Sequence, residues 1–95
     1  MTFERLSFRI RAIQRMFERA IPVATVQDVL ECGTIIEEYP DDTPYPSRLV
    51  LGWTGRRPIH VVAADDPVAR VTIVITAYEP DQDVWEDGFR KRKDR

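Results

Sequence analysis

Ninety-five residues, 43% apolar and 32% charged, suit one small domain around a single core, because the usual domain holds roughly 100–150 residues. The length excludes a multidomain enzyme, and one sheet covered by one or two helices is near the limit of what such a chain builds. A formal net charge of −2 argues against a protein that simply coats nucleic acid, and no apolar run approaches the roughly 18 residues of a membrane span.

Taken in chain order, Leu6, Ile10, Ile13, Phe17 and Ala20 recur at helical spacing, and the spacing predicts a helix over about residues 6–20, opened by Ser7 or Thr2. At about 100° per residue its other face collects Arg11, Arg15 and Arg19 with Phe8 among them, and Arg5 and Arg9 lie on the shoulder. Ile21-Pro22 interrupts it. Proline is tolerated in a first turn, so a second helix follows, with Val23, Val26, Val29 and Leu30 as its stripe and Gly33 as its C-cap.

From Thr34 the texture turns to strand: 34–39, 47–53, 57–64 and 70–78, punctuated by the proline-rich loop 40–46, Thr54-Gly55 and Asp65-Asp66-Pro67. The β-branched run Val71–Thr76 is the candidate central strand. The expected fold is therefore α+β, with two N-terminal helices packed on a four-stranded, mainly antiparallel sheet in the order ααββββ. Residues 1–80 form the single domain. Residues 81–95 read as a charged C-terminal tail, partly disordered, with Trp85 pinning its start.

Charge is segregated along the chain. Residues 1–20 carry five arginines and two glutamates, whereas residues 21–46 carry six acids and no base. The arginine face of the first helix can hold phosphates through forked guanidinium contacts, with Phe8 stacking on a base, or it can be an ordinary solvated face.

One cysteine, Cys32, and one histidine, His60, fall short of a disulfide framework or a structural zinc set. Cys32 reads as a small packing thiol. Glu37-Glu38 with Asp41-Asp42 could attract hydrated Mg²⁺, but adjacent acids on a strand point to opposite faces, so neither a metal nor a cofactor is expected. His60 interrupts an apolar strand and is the one side chain whose ordinary pKa lies near neutrality. It reads either as a general acid or base, with Arg48, or Thr76 and Tyr78, brought beside it, or as a core histidine bonded to a carbonyl or carboxylate. Met1–Arg5 lacks the shape of a signal peptide, and a cytoplasmic location is expected.

Arg15-Met16, Glu18-Arg19, Ile35-Ile36-Glu37-Glu38-Tyr39-Pro40-Asp41-Asp42, Pro44-Tyr45-Pro46-Ser47, Leu49-Val50-Leu51-Gly52, Arg57-Pro58-Ile59-His60-Val61-Val62 and Ile73–Pro80 resemble the bacterial DUF4258 family. The resemblance covers about residues 8–85. That family is similar to the RelE/ParE/MqsR-like toxins, so the resemblance implies a RelE-like fold and an RNA-cleaving toxin whose cognate antitoxin is an MqsA-like protein. It implies as positions to watch Arg11, Arg19, His60, Thr76 and Tyr78.

The family commonly has His-Ala near the start of the first helix, where this chain has Arg11-Ala12. Either the arginine holds phosphate in place of the histidine, or the chain binds RNA or protein without cleaving. In the catalytic reading His60, Tyr78 and Arg48 carry the chemistry, and Arg11, Arg15, Arg19 and Thr76 bind the RNA. The sequence leaves the oligomeric state open.

Overall fold

The computed structural model describes residues 5–93. It contains β1 (Arg5–Phe8), α1 (Ile10–Glu18), α2 (Val23–Cys32), β2 (Thr34–Tyr39), β3 (Ser47–Thr54), β4 (Arg57–Asp66) and β5 (Val71–Tyr78). The strands form one sheet in the order β1-β5-β4-β3-β2, antiparallel throughout except for β1, which runs parallel to β5. β4, not the β-branched β5, is therefore central.

Five strands rather than four is the first correction to the expected fold. Leu6 and Phe8 alternate with Arg5 and Ser7, and in this two-residue period they pack against the core while Leu6 pairs with Thr72 and Phe8 with Val74. The pairing satisfies the edge of β5, which a helix beginning at residue 6 would leave open. Phe8 is accordingly absent from the arginine face, and Ser7 lies inside the strand; the alternative start at Thr2 lies outside the described residues.

The apolar stripe of α1 is the second correction. Ala12 and Met16 are the buried residues, whereas Ile10, Ile13 and Phe17 are 77%, 46% and 89% exposed. The rotation of α1 is set at its C-terminal end. Nη1 of Arg19, in phase with Ala12 and Met16, donates to the Ala77 carbonyl at 2.8 Å, and Arg57 donates to the carbonyls of Ala20 and Arg19 at 2.8 and 2.6 Å. Ala20 takes a left-handed φ of 54°, and the Ile21 amide returns to the Met16 carbonyl at 2.9 Å, which closes the helix as a Schellman turn.

α2 buries Val26, Val29 and Leu30 of the expected stripe, whereas Val23 in its first turn is exposed. It ends on Gly33, whose φ of −79° is one any residue adopts. Glycine is needed there for closeness: a Cβ would lie 2.4 Å from the Val29 carbonyl oxygen and 2.6 Å from that of Leu51. Gly52 admits α2 in the same way, since its Cβ would meet Val29 Cγ2 at 2.7 Å.

Both helices lie on one face of the sheet, against Val50, Ile59, Val61, Ala63, Val74 and Ala77. The opposite face carries His60, Tyr78, Leu51 and Trp53, and the segment after Pro80 folds back over it. In that segment the Glu86 amide donates to the Lys91 carbonyl at 2.9 Å and the Lys93 amide to the Val84 carbonyl at 2.8 Å, so residues 84–93 form a small ribbon that buries Trp85. The ends of the tail read from the sequence, residues 94–95, lie outside the described residues.

A candidate phosphate-binding cleft beside His60

The central position of β4 fixes His60. Its backbone pairs with Leu51 on one side and Tyr78 on the other. A cross-strand pair shares a face, so the imidazole and the phenol meet: His60 Nδ1 lies 3.2 Å from the Tyr78 hydroxyl. Nε2 lies 2.8 Å from the Phe89 carbonyl oxygen. A carbonyl only accepts, which places the proton on Nε2 and makes Nδ1 the acceptor of the Tyr78 O–H. Trp85 closes the third side, edge-on at 4.5 Å between ring centroids.

His60 is fully buried, at 0% exposure. Burial pushes its pKa below the ordinary 6.5, outweighing the Phe89 carbonyl and the Glu37 charge, which favour the imidazolium. The imidazole is therefore neutral at pH 7. Burial likewise raises the Tyr78 phenol.

Tyr78 also lines a cleft of about 600 Å³ at the end of the sheet, together with Arg19, Arg57, Arg92, Trp85, Glu79 and Asp81. Each guanidinium is held by the fold. Arg19 commits Nη1 to Ala77, as above, and a guanidinium carries more donors than that contact uses. Arg57 is more fully engaged, because its Nε also pairs with Glu79 at 2.7 Å. Arg92 stacks over Trp85 at 4.8 Å and pairs with Glu37 at 3.5 Å. Glu37 accepts in turn from the Tyr39 hydroxyl at 2.5 Å; burial and that carboxylate push the Tyr39 pKa up to about 12.

The structure brings together His60, Tyr78 and Arg19 from the residues singled out in the sequence. Thr76, two residues before Tyr78 and paired with Val62, lies on the same sheet face. Arg48 does not join them. It pairs with Ala63, on the helix-covered face, where it forms an ion pair with Asp65 at 3.1 Å; Asp65 also accepts from Thr72 at 2.7 Å. Arg11 and Arg15 are exposed on α1, and Arg15 pairs with Glu18 at 3.3 Å. Arg57, Arg92 and Phe89 were not legible as site residues, because a turn and the folded-back segment bring them in. The one signal was Trp85, a large aromatic isolated in a charged stretch.

Among the described residues no group of three or more His, Cys, Asp or Glu is placed to hold a metal ion. No helix of the described residues is long and apolar enough to cross a membrane.

The fold and cleft define a small mixed α/β domain, two helices on a five-stranded sheet, with an arginine-lined cleft at one sheet end. A family model described as a domain of unknown function (DUF4258) matches residues 11–79, and the chain belongs to that family. Searches of curated proteins and of solved structures returned no match.

Proposed function

We propose that the chain is a metal-independent endoribonuclease of the RelE/ParE/MqsR-like kind, the toxin of a cytoplasmic toxin–antitoxin pair with an MqsA-like antitoxin as its partner. The observation that carries the catalytic reading is Tyr78: it lines a cleft with three arginines, and its hydroxyl has a neutral, buried His60 beside it as proton acceptor.

RNA supplies its own nucleophile. As the ribose 2′-oxygen bonds to the adjacent phosphorus, its proton passes to Tyr78 Oη while the phenol proton passes to His60 Nδ1. The bond from phosphorus to the 5′-oxygen of the next nucleotide breaks, and the imidazolium returns the proton through Tyr78 Oη to that leaving oxygen. The products are a 2′,3′-cyclic phosphate and a 5′-hydroxyl. The Phe89 carbonyl, which accepts from Nε2, holds the tautomer and favours the imidazolium, as an orienting group does in a catalytic triad. Arg19 and Arg92 stabilise the charge of the phosphorane. Arg11 and Arg15 hold flanking phosphates, and Thr76 binds the RNA from His60's sheet face. Arg48, on the opposite sheet face from His60, has no chemical role and acts through Asp65 on the fold.

The test is purified protein with a 5′-labelled single-stranded RNA in excess EDTA. Cleavage leaving cyclic phosphate ends is expected, reduced about 10²–10⁴-fold by Tyr78→Phe. Intact RNA, or cleavage unchanged in that variant, overturns it.

A second reading, a non-catalytic RNA- or protein-binding module, is favoured by two observations. Both His60 ring nitrogens are occupied within the chain, and Arg57 spends its donors on α1 and Glu79. RNA retained by the protein but left intact supports that reading.

A further inference from the structure

On the other side of the folded-back segment, a groove of about 460 Å³ runs between the C-terminal end of α2 and the start of β2, floored by the β3 backbone at Leu51 and Gly52. Gly33 and Gly52 line it where α2 packs closely on β3: a side chain at either glycine would collide with α2 or β3. Trp53 stands along this groove, 50% exposed, a large apolar surface that the core does not use. Its ring is braced rather than loose. Phe89 meets it edge-on at 6.0 Å, and Phe89 is itself fixed by the bond from its carbonyl to His60. Two groups of opposite charge complete the lining, Asp28 from α2 and Arg90 from the folded-back segment.

A rigid aromatic plane, a carboxylate that can accept two parallel N–H bonds and a nearby guanidinium match one kind of ligand. We propose that the groove is a subsite for an unpaired guanine base of bound RNA. The base stacks on Trp53 and offers its N1–H and N2–H to the Asp28 carboxylate, and Arg90 supplies charge for the adjoining phosphate. Adenine and uracil lack that pair of adjacent donors, so Asp28 makes the groove selective. The inference rests on the RNA reading of the cleft, which lies at the same end of the sheet, and it assigns that RNA a preferred base.

Cys32 lines the same groove and is exposed, the one cysteine of the chain, so its alkylation reports occupancy independently of cleavage. The probes are 2′-O-methyl UUGUU and UUUUU, which have no free 2′-hydroxyl to react. UUGUU is expected to slow alkylation of Cys32 by iodoacetamide at about tenfold lower concentration than UUUUU, a preference of the size one bidentate base contact gives. Asp28→Asn should abolish the preference, and Trp53→Ala the protection itself; both side chains are exposed, so both variants should keep the wild-type circular dichroism spectrum.

Equal protection by the two probes, no protection by either, or protection untouched by both variants overturns the subsite. The two readings fail separately. Cleavage of unmodified RNA without a guanine effect at Cys32 removes the groove and leaves the cleft, whereas guanine-dependent protection without cleavage keeps the groove and removes the catalytic role of Tyr78.

Discussion

The two faces of the sheet are built on different principles. On the helix side lies an apolar layer in which Ile59, Val61, Ala63, Val74 and Ala77 are fully buried, with polar groups confined to the Arg48–Asp65–Thr72 cluster at its border. Under the folded-back segment lies a mixed layer, where aromatic rings surround a neutral histidine and a chain of hydrogen bonds runs from Phe89 through His60 to Tyr78. Helices satisfy their own backbone and bring only side chains, so the apolar layer they cover can be dry. The ribbon brings exposed carbonyls to the sheet, and a buried carbonyl needs a donor. His60 provides it. The polarity of that face thus follows from what covers it, and a covering made of one short ribbon is easier to displace than two helices.

Truncation of one residue on each face sharpens the contrast. Ile59→Ala should cost about 2–5 kcal/mol and Trp85→Ala about 3–5 kcal/mol, by urea denaturation. Only the second should also move His60: with the indole gone, water reaches the imidazole, and its pKa, followed by NMR, should climb toward 6.5. A His60 pKa that responds equally to both substitutions would erase the distinction between the faces.

Next comes pH. The His60 pKa is depressed in the folded chain, so below the unfolded value of 6.5 the unfolded state takes up a proton that the native state refuses. Stability is therefore full above about pH 7 and falls as the pH drops through 6.5, flattening below the depressed native value. His60→Gln should remove that component of the slope between pH 7 and 5. At the alkaline end the sign reverses: the native Tyr39 stays protonated up to about 12, so stability declines once unfolded tyrosine ionises above 10.

Arg57→Ala comes third. It removes two bonds that end α1 and the pair with Glu79, all on a partly exposed side chain, and should cost about 1–2 kcal/mol. Loss of helix signal confined to residues near Ala20, seen by hydrogen exchange, would show that this arginine fixes the helix end; uniform loss would show that it supports the whole sheet.

How far the sequence reveals this depends on the element. β2 to β5 and α2 are legible because α2 carries a helical stripe and each strand is a short apolar or β-branched run between turn residues, β3 and β4 being buried on both faces. At the N-terminus two periods share residues: Leu6 belongs both to the strand alternation Leu6–Phe8 and to the helical series that continues through Ile10. The true inner face of α1 is marked only by Ala12 and Met16, whose weak apolar signal is hidden by larger neighbours. In the site, His60 and Tyr78 are legible as neighbours on adjoining strands, whereas the place of Arg48 depends on a register no sequence shows. Its pairing with Ala63 sets it an odd number of residues from Leu51, the β3 partner of His60, and so on the opposite face.

The smallest effect bears on that hidden face. If the series Ile10, Ile13 and Phe17 faced the core, Phe17→Ala would cost about 3–5 kcal/mol, as for a buried phenylalanine. With the ring 89% exposed, almost no apolar area is withdrawn from water on folding, and the substitution should lie within about 0.5 kcal/mol of no change. Met16→Ala, one position away and buried, should cost about 2–5 kcal/mol. The pair of denaturation midpoints decides which side of α1 meets the sheet: a large loss at Phe17 with none at Met16 would turn the helix around. It would also withdraw Arg19 from Ala77 and from the cleft, because both contacts depend on the phase that buries Ala12 and Met16.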